Sequence, residues 1–320
     1  MNTEPKTLLE AIRYFSDPDV CQDFMVSLRW PNGTASCPTC GRDDVRYIAT
    51  RRIWECKDKH AKRQFSVKVG TIFEDSPIGL DKWLAAIWMI ANAKNGVSSY
   101  EVHRAIGVTQ KTAWFMLHRI RLAMQSEFFS LDGEVEIDET FIGGKVRFMH
   151  KARVERIKGK ARRASLIGKT AVVGLLERHG PDGHSRIRAK VVPNTRRRVL
   201  HPEIRRHVIA GAEVFTDAHP SYTLLRDHYA HKVIDHAETY VAGKVHTNGL
   251  ENFWSLLKRA IKGTYVSVEP FHLFRYLDEQ AFRFNNRKTV DAQRFEQVTG
   301  SIVGKRLTYK ELIGAATTPA

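Results

Sequence analysis

Two short runs constrain this chain more than anything else in it. Glu-Val-Glu-Ile-Asp-Glu at 134–139 and Ala-Glu-Val-Phe-Thr-Asp at 212–217 read as buried strands. The spacing places a carboxylate, Asp138 or Asp217, at the end of each. A buried strand has to be paired along its backbone and covered on its faces. Strand-like and helical segments alternate from 134 to about 285, so the expected class is α/β. A third segment, Thr-Asn-Gly-Leu-Glu-Asn-Phe-Trp-Ser-Leu-Leu-Lys at 247–258, has helical apolar spacing. It carries Glu251, with Lys258 seven positions later.

Carboxylates that converge from separate strands and a helix suit hard, oxygen-seeking divalent cations. Asp138, Asp217 and Glu251 are therefore expected to hold two Mg²⁺ (or Mn²⁺) ions over a phosphodiester. Glu134, Glu136 and Glu139 flank Asp138 as competing acids, and Asn248 is an alternative to Glu251 as the third ligand. Charge points the same way. The 320 residues carry 51 Lys plus Arg against 35 Asp plus Glu, a net charge of +16. An excess of that size favours a polyanionic partner and is silent about fold. DNA is the partner expected.

Upstream, Cys37 and Cys40 in Cys-Pro-Thr-Cys-Gly are followed by Cys56 and His60. Cys-x2-Cys-x15-Cys-x3-His offers four ligands to one structural Zn²⁺ within a β ribbon, with His60 the least secure of the four. Cys21, on an amphipathic helix, reads as a core residue. Further along, Ser98 caps a short helix, Gly107-Val108 makes a turn, and Thr109 caps a second helix from Gln110 to Met124. Val102, Ile106, Val108, Ala113, Met116, Leu117 and Ile120 supply the apolar face of a helix-turn-helix. On that reading Gln110, Lys111, Thr112 and Trp114 begin the recognition helix, and His118, Arg119 and Arg121 approach phosphates.

Residues 1 to about 30 look helical, and residues 145–169 form a basic insert with ten Lys or Arg and one acid, Glu155. No stretch approaches the roughly 20 apolar residues that span a bilayer, and the N-terminus lacks a signal-peptide pattern. A cytoplasmic, nucleoid-associated protein without membrane attachment is expected.

Five segments carry a specific resemblance. They are Cys-Pro-Thr-Cys at 37–40, Arg-Gln-Phe-Ser-Val-Lys-Val-Gly-Thr-Ile-Phe-Glu-Asp-Ser-Pro at 63–77, Glu-Ile-Asp-Glu-Thr-Phe-Ile-Gly-Gly at 136–144, Val-Phe-Thr-Asp at 214–217, and His-Thr-Asn-Gly-Leu-Glu-Asn-Phe-Trp-Ser-Leu-Leu-Lys-Arg at 246–259. In these the chain resembles a DDE transposase of a bacterial insertion sequence, of the branch with an N-terminal zinc ribbon. The third acid follows the second by 34 residues and a basic residue follows by seven, as in that family. His60, where a cysteine is commoner, is the clearest departure.

The resemblance implies an RNase H-like catalytic core, a mixed sheet flanked by helices, with Asp138, Asp217 and Glu251 as its metal ligands. It implies that Lys258 contacts element-end DNA and that a homo-oligomer assembles on two ends. The expected layout is a helical segment at 1–32, a zinc ribbon at 33–78 and a helix-turn-helix at 79–128. The core at 129–290 contains the basic insert, and a tail occupies 291–320. The expected activity is binding of inverted-repeat ends, 3′-strand cleavage and strand transfer into target DNA. A non-catalytic DNA-binding regulator, an inactive transposase derivative and a nuclease without joining activity are the alternatives.

Overall fold

The computed structural model describes residues 5–125, 129–143, 151–158, 168–234 and 246–315. The chain divides into two compact units. One comprises Met1–Gln125 with Lys288–Ala320, the other Ser126–Arg287.

The first unit opens with α1 (Leu8–Tyr14), whose N-terminus is closed by a Thr7/Glu10 capping box, and α2 (Pro18–Arg29). The helical segment expected over residues 1 to about 30 thus consists of two helices. Asp17 accepts from the Asp19 amide and Pro18 sits where a missing N–H costs nothing, so the pair restarts the chain as a new helix. Three short antiparallel strands follow, β1 (Val45–Ile48), β2 (Ile53–Cys56) and β3 (Gln64–Phe65). Next, α3 (Leu80–Asn92) buries Trp83, Leu84, Ile87, Trp88 and Ile90. After it come α4 (Ser99–Ile106), with a Ser98/Glu101 capping box, and α5 (Gln110–Ala123), capped by Thr109. Between them Gly107 has φ 63°, the left-handed geometry that favours glycine in a tight turn.

The second unit is built on β4 (Glu134–Ile142). The helix α6 (Lys151–Lys158) falls within the basic insert, most of which lies outside the described residues. Next come β5 (Thr170–Glu177), β6 (Arg186–Val192), α7 (Arg197–His207), β7 (Glu213–Asp217) and β8 (Ala230–Ile234). The sheet order is β6-β5-β4-β7-β8, antiparallel from β6 to β4 and parallel from β4 to β8. Leu200 and Ile204 of α7 pack on one face with Val135, Ile137 and Val214. The other face is covered by α8 (Asn248–Ala260) and α9 (Leu273–Asn285), through Leu250, Phe253, Trp254, Leu257 and Leu277. This is a mixed sheet flanked by helices, as expected.

Two expectations need correction. Asp217 closes β7, whereas Asp138 lies in the middle of β4 opposite Gly174. Thr140-Phe141-Ile142 continue the apolar alternation and pair with β5, so the strand does not stop at the acid. The segment read as a C-terminal tail instead forms α10 (Asp291–Gly300) and α11 (Tyr309–Leu312), and returns to the first unit. Phe295 of α10 meets Trp88, Phe15 and Phe24 with ring centroids 5.1–5.9 Å apart. Burying that aromatic ring gives the segment a fixed place.

Candidate functional site

The second unit places its acids through α8. Thr247, the residue before this helix, makes no side-chain cap. A carboxylate from the sheet takes that role: Glu136 Oε2 accepts from the Leu250 amide at 2.9 Å. Glu136 is 1% exposed, and Arg178 neutralises it through Nε at 2.8 Å. Arg178 also donates to the His246 carbonyl at 2.6 Å and meets Glu134 at 3.3 Å. An anion at a helix N-terminus is favoured by both the orphan amides and the helix dipole. Gly249 permits the approach, because a Cβ there would lie 2.9 Å from Glu136 Oε2.

One turn further along α8 the helix meets Asp138. The Trp254 indole Nε1 donates to Asp138 Oδ2 at 2.8 Å. Gly174, opposite Asp138 on β5, leaves room for that indole. A Cβ at 174 would stand 2.6 Å from Trp254 Cζ2 and 2.7 Å from Leu250 Cδ2. A glycine inside an apolar strand often marks such a close approach.

Above this contact is an open cleft of about 600 Å³, lined by Asp138, Glu139, Thr140, Glu251, Trp254, Ser255, Lys258, Arg259 and Lys262. Glu251 and Lys258 share one face of α8 at a spacing of two turns. Asn248 is exposed at the first helical position and does not line the cleft. Asp217 does not line it either, but its charge reaches Asp138. Burial pushes the Asp138 carboxyl up to about 6, and Asp217 and Glu251 add to the rise against the Trp254 hydrogen bond. Glu139 is pushed up to about 7, chiefly by burial, with Asp217 and Asp138 adding. Its carboxylate accepts from the Tyr222 hydroxyl and lies 3.8 Å from His219. Asp217 Oδ1 accepts from the His219 amide at 3.2 Å. Partly desolvated carboxylates that raise one another's pKa are a donor set suited to hard cations.

In the first unit Cys37, Cys40, Cys56 and His60 converge, with one ligand atom from each within 4.8 Å of all the others. Cys37 Sγ is 3.5 Å from His60 Nε2, and Cys40 Sγ is 3.6 Å from Cys56 Sγ. A tetrahedral zinc with 2.3 Å bonds to sulfur requires ligand–ligand edges of about 3.7 Å, so the set fits. His60 Nδ1 is 2.7 Å from the Ala61 carbonyl, which orients Nε2 toward the sulfurs. Although burial opposes it, the Cys40 and Thr39 amides bring the Cys37 thiol down to about 7. Four protein ligands close the site to substrate, which marks it as structural. Cys21 is buried and its thiol donates to the Phe15 carbonyl.

At the start of α5, Lys111 is exposed and lies over the Tyr309 ring, 4.8 Å from its centroid. Gln110 Nε2 donates to Ser99 and Thr112 bonds to the Thr109 cap. Arg119 and Arg121 are placed differently from the phosphate contacts expected of them. They are 5% and 1% exposed, and His118 is fully buried. Arg119 donates to the carbonyls of Leu307, Ile72 and Glu74 at 2.8–3.0 Å. Facing inward on α5, it satisfies carbonyls of two loops, which no local pattern foretells. Sequence reasoning weighed Glu136 and Glu139 only as competitors of Asp138, and it passed over Arg178 and the hydrogen bond from Trp254. Only Gly174, a glycine within Ala-Val-Val-Gly-Leu-Leu, carried a readable signal.

No helix among the described residues is long and apolar enough to cross a membrane. Comparison with known proteins gives two family matches. Residues 130–285 match an ISXO2-like transposase domain, and residues 16–60 match a transposase zinc-ribbon domain. A relative from Halobacterium salinarum, described as an uncharacterized protein in transposable element ISH50, is 27% identical over 257 residues. That alignment covers 78% of this chain and 84% of the relative.

Proposed function

We propose that the chain, whose residues 130–285 match an ISXO2-like transposase domain and 16–60 a transposase zinc ribbon, is a transposase that binds inverted-repeat ends, cleaves their 3′ strands and joins them to target DNA. One observation carries the chemical part of this reading. Asp138, Glu251 and Lys258, far apart in sequence, line one cleft, and the charge of Asp217 is felt at Asp138. The sheet order β6-β5-β4-β7-β8 supports an RNase H-like core. The capped helix pair α4–α5 supports a helix-turn-helix that presents Gln110, Lys111 and Thr112 to DNA.

Each side chain has a distinct task in this reading. Trp254 holds one oxygen of Asp138 and leaves the other for a cation. Asp217 and Glu251 complete the ligand set, with Glu251 preferred over Asn248 because it lines the cleft. Two Mg²⁺ (or Mn²⁺) ions bound there would activate the attacking oxygen and stabilise the leaving one. Lys258 places a cation against the scissile region, and Arg259 and Lys262 extend that positive edge along the backbone. The first step breaks a phosphodiester with water and frees a 3′-hydroxyl. In the second, that hydroxyl displaces a 3′-oxygen of the target strand, so one phosphodiester forms as another breaks. No covalent protein–DNA intermediate is required. A Zn²⁺ held by Cys37, Cys40, Cys56 and His60 would fasten the ribbon, and the protein would act as an oligomer on two ends.

The test is strand transfer with purified protein, Mg²⁺ and a duplex carrying the element ends, with Asp138→Ala alongside. Joined products from the wild type and none from the variant are expected, with DNA binding retained by both. Cleavage without joining would favour a nuclease. Specific binding without strand chemistry would favour a regulator or an inactive copy.

A further inference from the structure

The arginines of α7 have no place in the reading above. This helix buries Leu200, His201 and Ile204, with Val199 partly buried beside them, and leaves its arginines exposed. Arg197, Arg198, Arg205 and Arg206 are all exposed, and so is Arg196 at the N-cap. The single acid on the helix, Glu203, is engaged by Lys190 at 2.6 Å. Among the described residues, none of these five arginines forms an ion pair with a carboxylate. Their field reaches inward. Beyond the effect of burial, Arg205 and Arg197 help to depress the pKa of His201.

Helix physics argues against this placement as a neutral accident. The first turn of α7 contains no acid, and three successive arginines surround its N-terminus. Cations there oppose the helix dipole, and neighbouring guanidinium groups repel each other. A sequence that breaks local rules without internal compensation points to a partner that supplies it.

Topology puts the patch near the acids. β6 and β4 are both antiparallel to β5, so they run the same way, as does β7 to its end at Asp217. The chain therefore leaves β6 at the same end of the sheet at which β7 delivers Asp217. The start of α7 is tied to the loop that follows Asp217. Ser221 Oγ donates to the Thr195 carbonyl at 2.7 Å, and His201 Nε2 lies 2.9 Å from the Ser221 carbonyl. From Arg196 to Arg206 the helix extends about 15 Å away from that point. Such a length matches about four phosphates of one strand, measured along a duplex.

We propose that the outer face of α7 binds the phosphate backbone of duplex DNA, independently of sequence. Guanidinium groups suit the task because they grip phosphate oxygens bidentately and stay charged. No base-reading geometry is needed from an exposed row of arginines. This inference rests on the transposase reading for the identity of its ligand.

The experiment measures affinity of the full-length protein for a duplex lacking element ends, across 50–200 mM salt. Arg197→Gln/Arg198→Gln and Arg205→Gln/Arg206→Gln are compared with Lys6→Gln/Arg13→Gln, a charge-matched control with Lys6 just before α1 and Arg13 on it. Each α7 double variant is expected to flatten the slope of log affinity against log salt by about two. Binding near 0.1 M salt should weaken about 10- to 100-fold. Arg197→Lys/Arg198→Lys should recover most of the slope, and thermal unfolding should show the Gln variants folded. An unchanged slope in the α7 variants, or an equal loss in the control, would overturn the proposal. The two readings fail separately. Wild-type cleavage with an unaltered slope in the variants removes only the α7 face. Arginine-dependent binding without any strand chemistry removes only the transposase reading.

Discussion

Replacing Gly174 by alanine adds one methyl group at the point where sheet, helix and Asp138 meet. The new Cβ would lie 2.6 Å and 2.8 Å from two indole carbons of Trp254 and 2.7 Å from Leu250 Cδ2. Ordinary carbon contacts need 3.5–4.0 Å, so the indole has to retreat by about 1 Å. The 2.8 Å bond from Trp254 Nε1 to Asp138 cannot survive such a shift in its present geometry. Overpacking of this kind costs about 1–3 kcal/mol of stability. Misplacing a catalytic group by about 1 Å costs on the order of 10²-fold in rate. Gly174→Ala should therefore unfold at lower denaturant and cleave an end-bearing duplex about 100-fold more slowly in single-turnover assays at saturating Mg²⁺. Gly300→Ala is the control, because a Cβ there meets nothing within 4 Å. If Gly174→Ala matched the wild type in both stability and cleavage, the account of how Trp254 and Asp138 are positioned would be wrong. Stability alone still tests the packing if the protein proves inactive.

Four further outcomes are expected. Asp138 is raised from 3.8 to about 6 in the fold, so the native state holds an extra proton between those values. The metal-free protein loses that stabilisation as pH rises from about 4 to about 6, and Asp138→Asn should be the more stable form at pH 7 in chelator. Urea midpoints at pH 7 and below pH 4 check this, the difference shrinking at the lower pH. Removing Glu136 by Glu136→Ala strands Arg178, a change that costs about 3–5 kcal/mol when no partner remains. Glu134 stays 3.3 Å from Arg178, so the loss in a denaturation curve should fall near the low end, and Glu136→Gln should lose less. Stripping zinc, or Cys56→Ser, should loosen the ribbon and expose Trp54, which is 7% exposed and packs edge-on to Trp30. A red shift in tryptophan emission, with bound zinc falling below one per chain, would register it. Arg119→Ala should lower stability by about 2–4 kcal/mol through its three carbonyl bonds, yet leave the salt dependence of DNA binding unchanged.

Much of the architecture was legible because its causes are local. Ser98 with Glu101, Gly107 and Thr109 delimit α4 and α5 as expected, since capping side chains act on amides within one turn. Apolar alternation located β4 and β7, and the Cys-x2-Cys turn located the metal cluster. The same local reasoning failed where a neighbour from elsewhere decides. Nothing near residue 138 says that its strand continues to Ile142, because pairing with Thr170–Val172 extends it. Nothing near residue 291 says that Phe295 will be buried among Phe15, Phe24 and Trp88.

By itself, then, the sequence determined the identity and order of the parts: a Cys–His ribbon, a capped helix pair, two acid-bearing strands and a helix carrying Glu251 and Lys258. These follow from covalent spacing and from side-chain periods of 2 and 3.6, which a single chain carries wherever it folds. Only the tertiary structure decided which groups meet. Glu136 caps a helix 114 residues away, and Trp254 holds an aspartate 116 residues away. Arg119 faces carbonyls rather than solvent, and Arg197 and Arg198 face outward at the end of the sheet that carries Asp217. Those choices depend on close packing of the whole molecule, where the absence of one methyl at Gly174 settles where an indole can lie.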